Sequence, residues 1–214
     1  MMNPELFILR IPAILFALTI HEFAHGWVAL RFGDTTAQDQ GRLTLNPFAH
    51  LDFFGTAMLL FGPFGWAKPV PVNGYNFKEP KKGILFVSLA GPLSNIISAF
   101  LFGYLLRLMA HFQPSLMNSS ISSFLYLSVM INLGISFFNL LPIPPLDGSK
   151  IVLGLLPDKW IPGYINKTRY FPIIFMVLLV AEWGFHIPIF SGIIQPVYHP
   201  YFNLFHLLIF GGTL

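Results

Sequence analysis

Four long apolar runs constrain this chain more than any other feature of its sequence. They extend over approximately residues 6–32, 83–109, 124–141 and 171–190. About 20 consecutive apolar residues allow an α-helix to cross a bilayer, where every backbone hydrogen bond must be made within the protein. The chain is 55% hydrophobic and 10% charged, whereas soluble domains carry about 25% charged residues. We therefore predict an all-α polytopic membrane protein.

Shorter segments complete a predicted architecture of about five to six transmembrane or re-entrant segments. Residues 51–64 are apolar but too few to cross, so we expect them to be re-entrant. Tyr201–Phe210 forms a short apolar tail that we expect to lie in the membrane interface or to cross only partly. Polar and apolar residues alternate in Arg42–Leu45, which predicts a small β-like membrane-associated segment after the first helix.

The first apolar run contains the H-E-x-x-H motif His21-Glu22-Phe23-Ala24-His25. On a helix, His21 and His25 lie one turn apart on one face, so both imidazoles can reach a single zinc ion. Glu22 lies beside them and could accept a proton from metal-bound water. The alternative is a structural pair of packed histidines, but burying these groups in an apolar bundle costs several kcal/mol unless something compensates them. The motif therefore indicates zinc chemistry inside the membrane.

A catalytic zinc site usually has three protein ligands and one open position. The chain has no cysteine, so the search for the third ligand is confined to His, Asp and Glu. Asp147 differs from the other acids, most of which fall in predicted loops, because it follows a helix end broken by Pro142-Ile143-Pro144-Pro145. Gly148 would leave room for close approach to a metal. The alternative role of Asp147 is to cap a helix that begins at Gly148.

Basic residues cluster in two loops, 78–82 and 150–169, which together hold most of the Lys and Arg. The net charge of +3 and the pI near 9.2 could indicate a nucleic-acid partner for a soluble chain, but in membrane proteins such loops mark the cytosolic side. We therefore expect no nucleic-acid partner, an external N-terminus, and an active site that opens toward the cytosol. The expected partners are the lipid bilayer and a membrane-protein substrate.

Two motifs far apart in the chain belong together. They are His21-Glu22-Phe23-Ala24-His25-Gly26 and Asn139-Leu140-Leu141-Pro142-Ile143-Pro144-Pro145-Leu146-Asp147-Gly148. As a pair they resemble the motifs of the site-2 protease family of intramembrane zinc metalloproteases. Segments 41–47, 68–73 and 90–95 are similar to segments of its short prokaryotic members, which lack PDZ and CBS domains. The resemblance extends over about residues 14–155 of a predicted single domain, 1–214, with C-terminal helices over 170–214.

The resemblance implies a zinc metalloendopeptidase in the cell membrane of a prokaryote. One Zn²⁺ per chain would be held by His21, His25 and Asp147, with Glu22 as the general base. Asn139 would help to hold the substrate backbone near the metal. The substrate would be a single-span transmembrane protein, cleaved within or near its transmembrane segment. Nothing in the resemblance indicates the oligomeric state.

Two other functions could use the same cluster of His, Glu and Asp side chains. A membrane metal or ion transporter could use it as a conduction site, but the sequence shows no repeated halves, which transporters often have. A prenyl-protein endopeptidase would need a downstream Glu ligand on a helix, and Glu79 and Glu182 have no partner motif.

Three further features allow more than one interpretation. Asn95 lies at helical spacing from small residues, which favours a helix contact over direct chemistry. His50 could be an accessory active-site group or an interfacial side chain. The Pro- and Gly-rich segment Trp66–Asn76 should lie against the active site, because irregular backbone is tolerated at membrane depth only in contact with protein or a wet cavity. It could pair with an unwound substrate by edge addition, or it could be an interfacial loop anchored by Trp66.

Overall fold

The structure, a computed structural model, describes residues 4–61, 65–185 and 189–211. In these ranges the chain forms nine α-helices: α1 Pro4–Arg31, α2 Thr36–Asp39, α3 Phe53–Phe61, α4 Pro80–Phe112, α5 Ser120–Leu140, α6 Asp147–Leu155, α7 Ile161–Thr168, α8 Phe171–Phe185 and α9 Ile189–Phe210. No strand occurs in the same ranges, so the prediction of an all-α fold is confirmed. The parts of the predicted segments at 62–64 and 186–188 lie outside the described residues.

Four stretches of helix in the described part of the chain are long and apolar enough to cross a membrane. They are Pro4–Arg31, Pro80–Phe112, Ser120–Leu140 and Asp158–Glu182. The first three helices coincide with predicted apolar runs. At most ends, the helix continues a few residues beyond the predicted run. The fourth begins earlier than predicted, because helical structure already starts in the mixed segment before residue 171. The polytopic prediction is therefore supported by helix length and composition together.

Helix α4 is the central element of the bundle. It packs against α1, α5 and α6, and α1 also packs against α5. Toward the C-terminal end of α4, buried side chains of α4, α5 and α9 form one core cluster: Ala99, Leu106, Val129, Leu133, Ile209 and Phe210. The Arg107 guanidinium also donates to the Ile209 carbonyl at 3.2 Å. Because α4 contacts α1, α5, α6 and α9, it can hold groups from distant parts of the chain in fixed positions.

The C-terminal tail is longer than the sequence predicts. In place of a short segment over Tyr201–Phe210, the structure has the 22-residue helix α9. Pro196 and Pro200 lie inside this helix and interrupt the apolar pattern, so only the residues after them read as a continuous run. The last turn packs into the bundle core, where Phe210 is buried.

The small β-like segment predicted at Arg42–Leu45 does not form. The amides of Arg42 and Leu43 both donate to the Ala37 carbonyl, at 2.8 and 3.2 Å, so the chain closes back onto the short helix α2. The Arg42 guanidinium donates to the carbonyls of Lys68 and Pro69, at 3.0 and 3.2 Å. The alternating pattern was misleading because local hydrogen bonds to α2 take the place of pairing with a second strand.

Helix α3 accounts for most of the predicted re-entrant segment. Its nine residues extend only about 14 Å at 1.5 Å per residue, which is too short to cross a bilayer. Phe53 and Phe54 at its start are exposed, as expected for side chains that contact lipid. Entry of α3 into the membrane stays a prediction.

The two basic loops lie on one surface of the bundle. Lys81 Nζ lies 2.8 Å from Asp158 Oδ1, which joins the first turn of α4 to the segment after α6. This contact agrees with the charge pattern, from which both loops were expected on the same side of the membrane.

Asp34 connects the end of α1 to the loop that precedes α4. Its buried carboxylate accepts hydrogen bonds from the amide and hydroxyl of Thr36, the amide of Asn73 and the side-chain amide of Asn76. Burial alone would raise the pKa of Asp34, but these hydrogen bonds hold it below its ordinary value. A charged carboxylate therefore fixes the turn at 73–76 beside α1, and with it the segment that leads to the candidate site.

Candidate metal centre

Two histidines of α1 and the first residue of α6 bring three potential ligand atoms together. His21 Nε2 lies 3.0 Å from His25 Nε2 and 3.2 Å from Asp147 Oδ2. His25 Nε2 lies 3.0 Å from the same carboxylate oxygen. All three residues are buried. Within the described ranges, they form the group of His and acidic side chains whose ligand atoms are close enough to share one metal ion.

Both imidazoles point Nε2 toward this centre because Nδ1 has another partner. His25 Nδ1 lies 2.6 Å from the Val87 carbonyl, which can only accept a hydrogen bond. His21 Nδ1 lies 2.7 Å from Asn95 Oδ1. Each ring therefore donates through Nδ1–H and presents the lone pair of Nε2, the arrangement found when a histidine binds a metal.

The orientation of Asn95 is itself fixed by its neighbours. Its side-chain nitrogen donates to the Ala17 carbonyl and to Asn132 Oδ1, both at 2.9 Å. Its oxygen must then face His21, so the tautomer of His21 follows from the hydrogen-bond network. Asn95 and Asn132 are fully buried. Asn95 is thus a helix contact, as the sequence favours, and in addition it orients a candidate ligand.

The three converging atoms fit a zinc ion. The lone pairs of the two imidazole Nε2 atoms and the carboxylate oxygen repel one another at this spacing unless a proton or a metal cation lies between them. A tetrahedral zinc with bonds of about 2.0–2.1 Å holds its ligand atoms about 3.3 Å apart, and the separations here are 3.0–3.2 Å. Two neutral imidazoles and one carboxylate also form a common donor set for catalytic zinc.

One face of α4 shapes this centre. Val87, Gly91 and Asn95 are spaced by four residues and so lie one above another. Val87 and Asn95 accept from the two imidazoles, and Gly91 lies between them against the ligand atoms. A Cβ at Gly91 would lie 2.5 Å from His25 Nε2 and 2.6 Å from His21 Nε2. Helix α4 therefore orients both histidines and leaves the space that an ion would occupy.

Asp147 reaches the centre because the chain leaves helical structure between α5 and α6. Helix α5 ends at Leu140, and α6 begins at Asp147 with the preceding residue in the cap position, so Asp147 is not the helix cap. A Cβ at Gly148 would lie within 2.4 Å of two carbonyl oxygens at the end of α5, which explains the glycine. Asp147 Oδ1 lies 3.4 Å from Lys150 Nζ, while Oδ2 faces the histidines.

Glu22 lies next to the ligand group but points to a different partner. Its Oε2 accepts a hydrogen bond from the Val70 amide at 2.8 Å. Val70 belongs to the irregular segment 65–73. This contact places that segment against the candidate site, in agreement with the prediction from its Pro- and Gly-rich composition.

The loop after α2 supports the segment that contacts Glu22. The Lys68 amide donates to the His50 carbonyl at 3.0 Å, and Arg42 donates to the next two carbonyls. The His50 ring donates from Nε2 to the Thr44 carbonyl at 2.8 Å and is fully buried. His50 is therefore a buried side chain and not an interfacial one, while an accessory active-site role stays a prediction.

Asn139 lies at the end of α5, and its side-chain nitrogen donates to the Ile135 carbonyl at 3.0 Å. Its predicted contact with a substrate backbone stays a prediction.

The residues that sequence reasoning missed are on α4: Val87 acts through its carbonyl, which no side-chain motif reveals, and Gly91 acts through the absence of a side chain. Their spacing of four with Asn95 matches that of the two histidines and was the available signal.

Replacing Gly91 by alanine should weaken metal binding. The added methyl group would overlap the ligand atoms, and overpacking of this kind costs about 1–3 kcal/mol, so we expect Zn²⁺ affinity to fall about 10- to 100-fold. Zinc retained against a competing chelator, measured by elemental analysis, provides the test. Gly134→Ala is the matched control, because nothing lies within 4 Å of a Cβ at that position of α5. Equal zinc retention in the two variants would contradict the proposed position of the ion.

Comparison with known proteins identifies a family. The sequence model of Peptidase family M50 matches residues 107–181, which include Asp147. The "Putative zinc metalloprotease YwhC" of Bacillus subtilis (strain 168) is 40% identical over 200 residues, covering 86% of this chain and 91% of that protein. The "Putative zinc metalloprotease Rip2" of Mycolicibacterium smegmatis is 35% identical over 150 residues, covering 66% of this chain and 55% of that protein.

A more distant relative is the "Zinc metalloprotease MJ0392" of Methanocaldococcus jannaschii, 27% identical over 169 residues, covering 78% of this chain and 40% of that protein. No solved structure matches the chain. The strongest of these similarities extends over nearly the whole of both sequences. The chain therefore belongs to peptidase family M50, the site-2 protease family, and is a zinc metalloendopeptidase with several membrane-spanning helices.

Proposed function

We propose that this protein hydrolyses peptide bonds within or near the transmembrane segment of single-span membrane proteins. One zinc ion per chain would be held by His21, His25 and Asp147, with Glu22 as the general base. The observation that carries the proposal is the convergence of two Nε2 atoms and one carboxylate oxygen at 3.0–3.2 Å inside a membrane-spanning bundle. The alternative of a transporter has no support from the relatives, whose names describe metalloproteases.

The chemistry divides between the metal and the residues around it. A zinc ion held by His21, His25 and Asp147 would supply Lewis acidity, which would make water easier to deprotonate and polarise the scissile carbonyl. Glu22 takes the proton of the attacking water and later delivers it to the leaving amine. The Val70 amide anchors one carboxylate oxygen of Glu22, which restricts the carboxylate to a few orientations. Asn95 and the Val87 carbonyl keep both imidazoles with Nε2 free for the metal.

The position of the site along α1 supports access from the basic side. His25 lies six residues before Arg31, where α1 ends, which corresponds to about 9 Å at 1.5 Å per residue. Water needs to enter only part of the bilayer to reach that depth. The cytosolic orientation of the site rests on the basic loops, which the ion pair between Lys81 and Asp158 brings to this same surface.

The segment 65–73 is suited to hold an extended substrate. Its amides at Lys68 and Val70 already have acceptors, and the amide of Asn73 donates to Asp34. Within the described residues, no hydrogen bond engages the Val72 amide, and the Val72 side chain is exposed. A substrate helix must unwind before its peptide bond can be cut, and edge addition at 71–72 would satisfy the backbone groups released in that step.

Replacing Glu22 by glutamine should leave the metal in place while removing the base. We expect cleavage of a single-span substrate in proteoliposomes to fall about 10²- to 10⁴-fold, with the zinc content unchanged. Asp147→Ala should instead lose both zinc and cleavage. Glu79→Gln is the matched control, because it makes the same change at an exposed site, and it should cleave normally. Undiminished cleavage by the Glu22→Gln variant would refute the assigned base.

A photo-crosslinking residue in place of Val72 should capture a bound substrate. The pairing proposal predicts crosslinks in the Glu22→Gln background, where substrate accumulates uncleaved, detected by mass spectrometry. The same residue in place of Ile97, which is 67% exposed on α4, is the control and should crosslink to lipid alone. Absence of substrate adducts at both positions would argue for the plain interfacial loop.

The absence of cysteine allows the orientation to be tested with single substitutions. Lys159→Cys lies on the basic surface and should react with a membrane-impermeant maleimide only after cells are permeabilised. Gln113→Cys, between α4 and α5, should react in intact cells. The reverse pattern would place the site on the other side of the membrane.

A further inference from the structure

An apolar groove lies on the outer face of the pair formed by α1 and α4. The groove is open and not enclosed, and its volume is about 370 Å³. The apolar part of its wall includes Trp27 and Phe32 of α1 and Phe86, Leu89 and Leu93 of α4. On α4 these residues extend over seven positions, which corresponds to about 10 Å along the helix axis.

One charged residue lines the groove, at its end nearest the basic loops. Arg31 is the last residue of α1, and its guanidinium lies 4.8 Å from the centre of the Trp27 ring. This contact keeps the guanidinium beside the groove, because a cation over an indole face is held there electrostatically. The groove therefore has an apolar body and a cationic end.

A second cation lies close to that end. The Lys78 amide donates to the Phe32 carbonyl at 3.0 Å, and the Lys78 side chain passes within 3.4 Å of a Cβ built on Gly33. The neighbouring lysines are already paired: Lys81 with Asp158 and Lys82 with Glu79. Among the residues that the structure describes, no acidic side chain lies within ion-pair distance of Arg31 or Lys78.

We propose that this groove binds one phospholipid with an anionic headgroup. An acyl chain lies along Trp27, Phe86 and Leu93, and the phosphate group lies against Arg31 and Lys78. The charge complementarity selects this occupant, since Arg and Lys near the membrane surface attract anionic lipids. A partner helix fits less well, because a transmembrane helix needs a seam of about 30 Å and the groove is about a third as long.

The lipid site lies on the opposite side of α1 and α4 from the candidate metal centre. Trp27 follows His25 by two residues, and Leu93 follows Gly91 by two residues, so in each helix the side chains point to different faces. The inference does not use the metal or the catalytic role of any residue. It can therefore fail while the proposed protease function holds, and the reverse is also true.

Tryptophan quenching can test the proposal in the intact 214-residue chain. The chain has four tryptophans, and replacing Trp66, Trp160 and Trp183 by phenylalanine leaves Trp27 as the reporter. The protein is reconstituted in phosphatidylcholine vesicles that contain increasing fractions of brominated phosphatidylglycerol or, in parallel, brominated phosphatidylcholine. We expect the anionic lipid to be preferred at Trp27 at least about fivefold, the selectivity expected of one cation near the membrane surface.

Three variants distinguish a site from general surface attraction. Arg31→Gln should reduce the preference about fivefold, and Arg31→Lys, which keeps the charge, should retain most of it. Lys167→Gln removes one exposed cation on α7 and should leave the preference unchanged. Equal quenching by the two lipids, an equal effect of Lys167→Gln, or quenching by neither lipid would each overturn the proposal, the last by indicating that protein fills the groove.

Discussion

Two uncharged imidazoles and a carboxylate cannot remain in contact inside an apolar bundle without a cation between them. The arrangement of the surrounding helices follows from this electrostatic requirement. The two Nδ1 atoms have acceptors on α4, so the lone pairs of His21 and His25 face the same point as Asp147. Gly91 keeps that point open. A metal ion held at this point would compensate polar groups that otherwise destabilise the membrane-spanning core.

Much of this arrangement could be predicted from the sequence, because its strongest signals are local. Apolar runs longer than a bilayer is thick specify helices directly, and the four-residue spacing of His21 and His25 places both rings on one face. Asp147 was identifiable because a carboxylate after a proline-broken helix in an apolar context needs a partner. The structure brings these three side chains together, while their action as ligands and that of Glu22 as a base stay predictions.

The features that sequence reasoning missed depend on partners far away in the chain. Asn95 contacts a histidine 74 residues earlier, and the contact of Val87 uses a backbone carbonyl that every residue type possesses. The strand predicted at Arg42–Leu45 was wrong because alternation does not show whether a second strand is present, and Arg42 instead supports the segment beside Glu22. The extent of α9 was underestimated because Pro196 and Pro200 are tolerated inside it.

The spacing of Val87, Gly91 and Asn95 along α4 would link correct helix assembly to metal loading at the proposed site. Sliding α4 by a single residue would shift it about 1.5 Å and rotate it about 100°, so the two acceptors and the open space would be lost together. On the proposed mechanism, a chain whose first two long helices have inserted out of register would bind no zinc and would cleave no substrate. If the proposed zinc site and function hold, zinc uptake would act as a check on folding, because only molecules that have finished folding would become able to cleave their membrane-protein substrates.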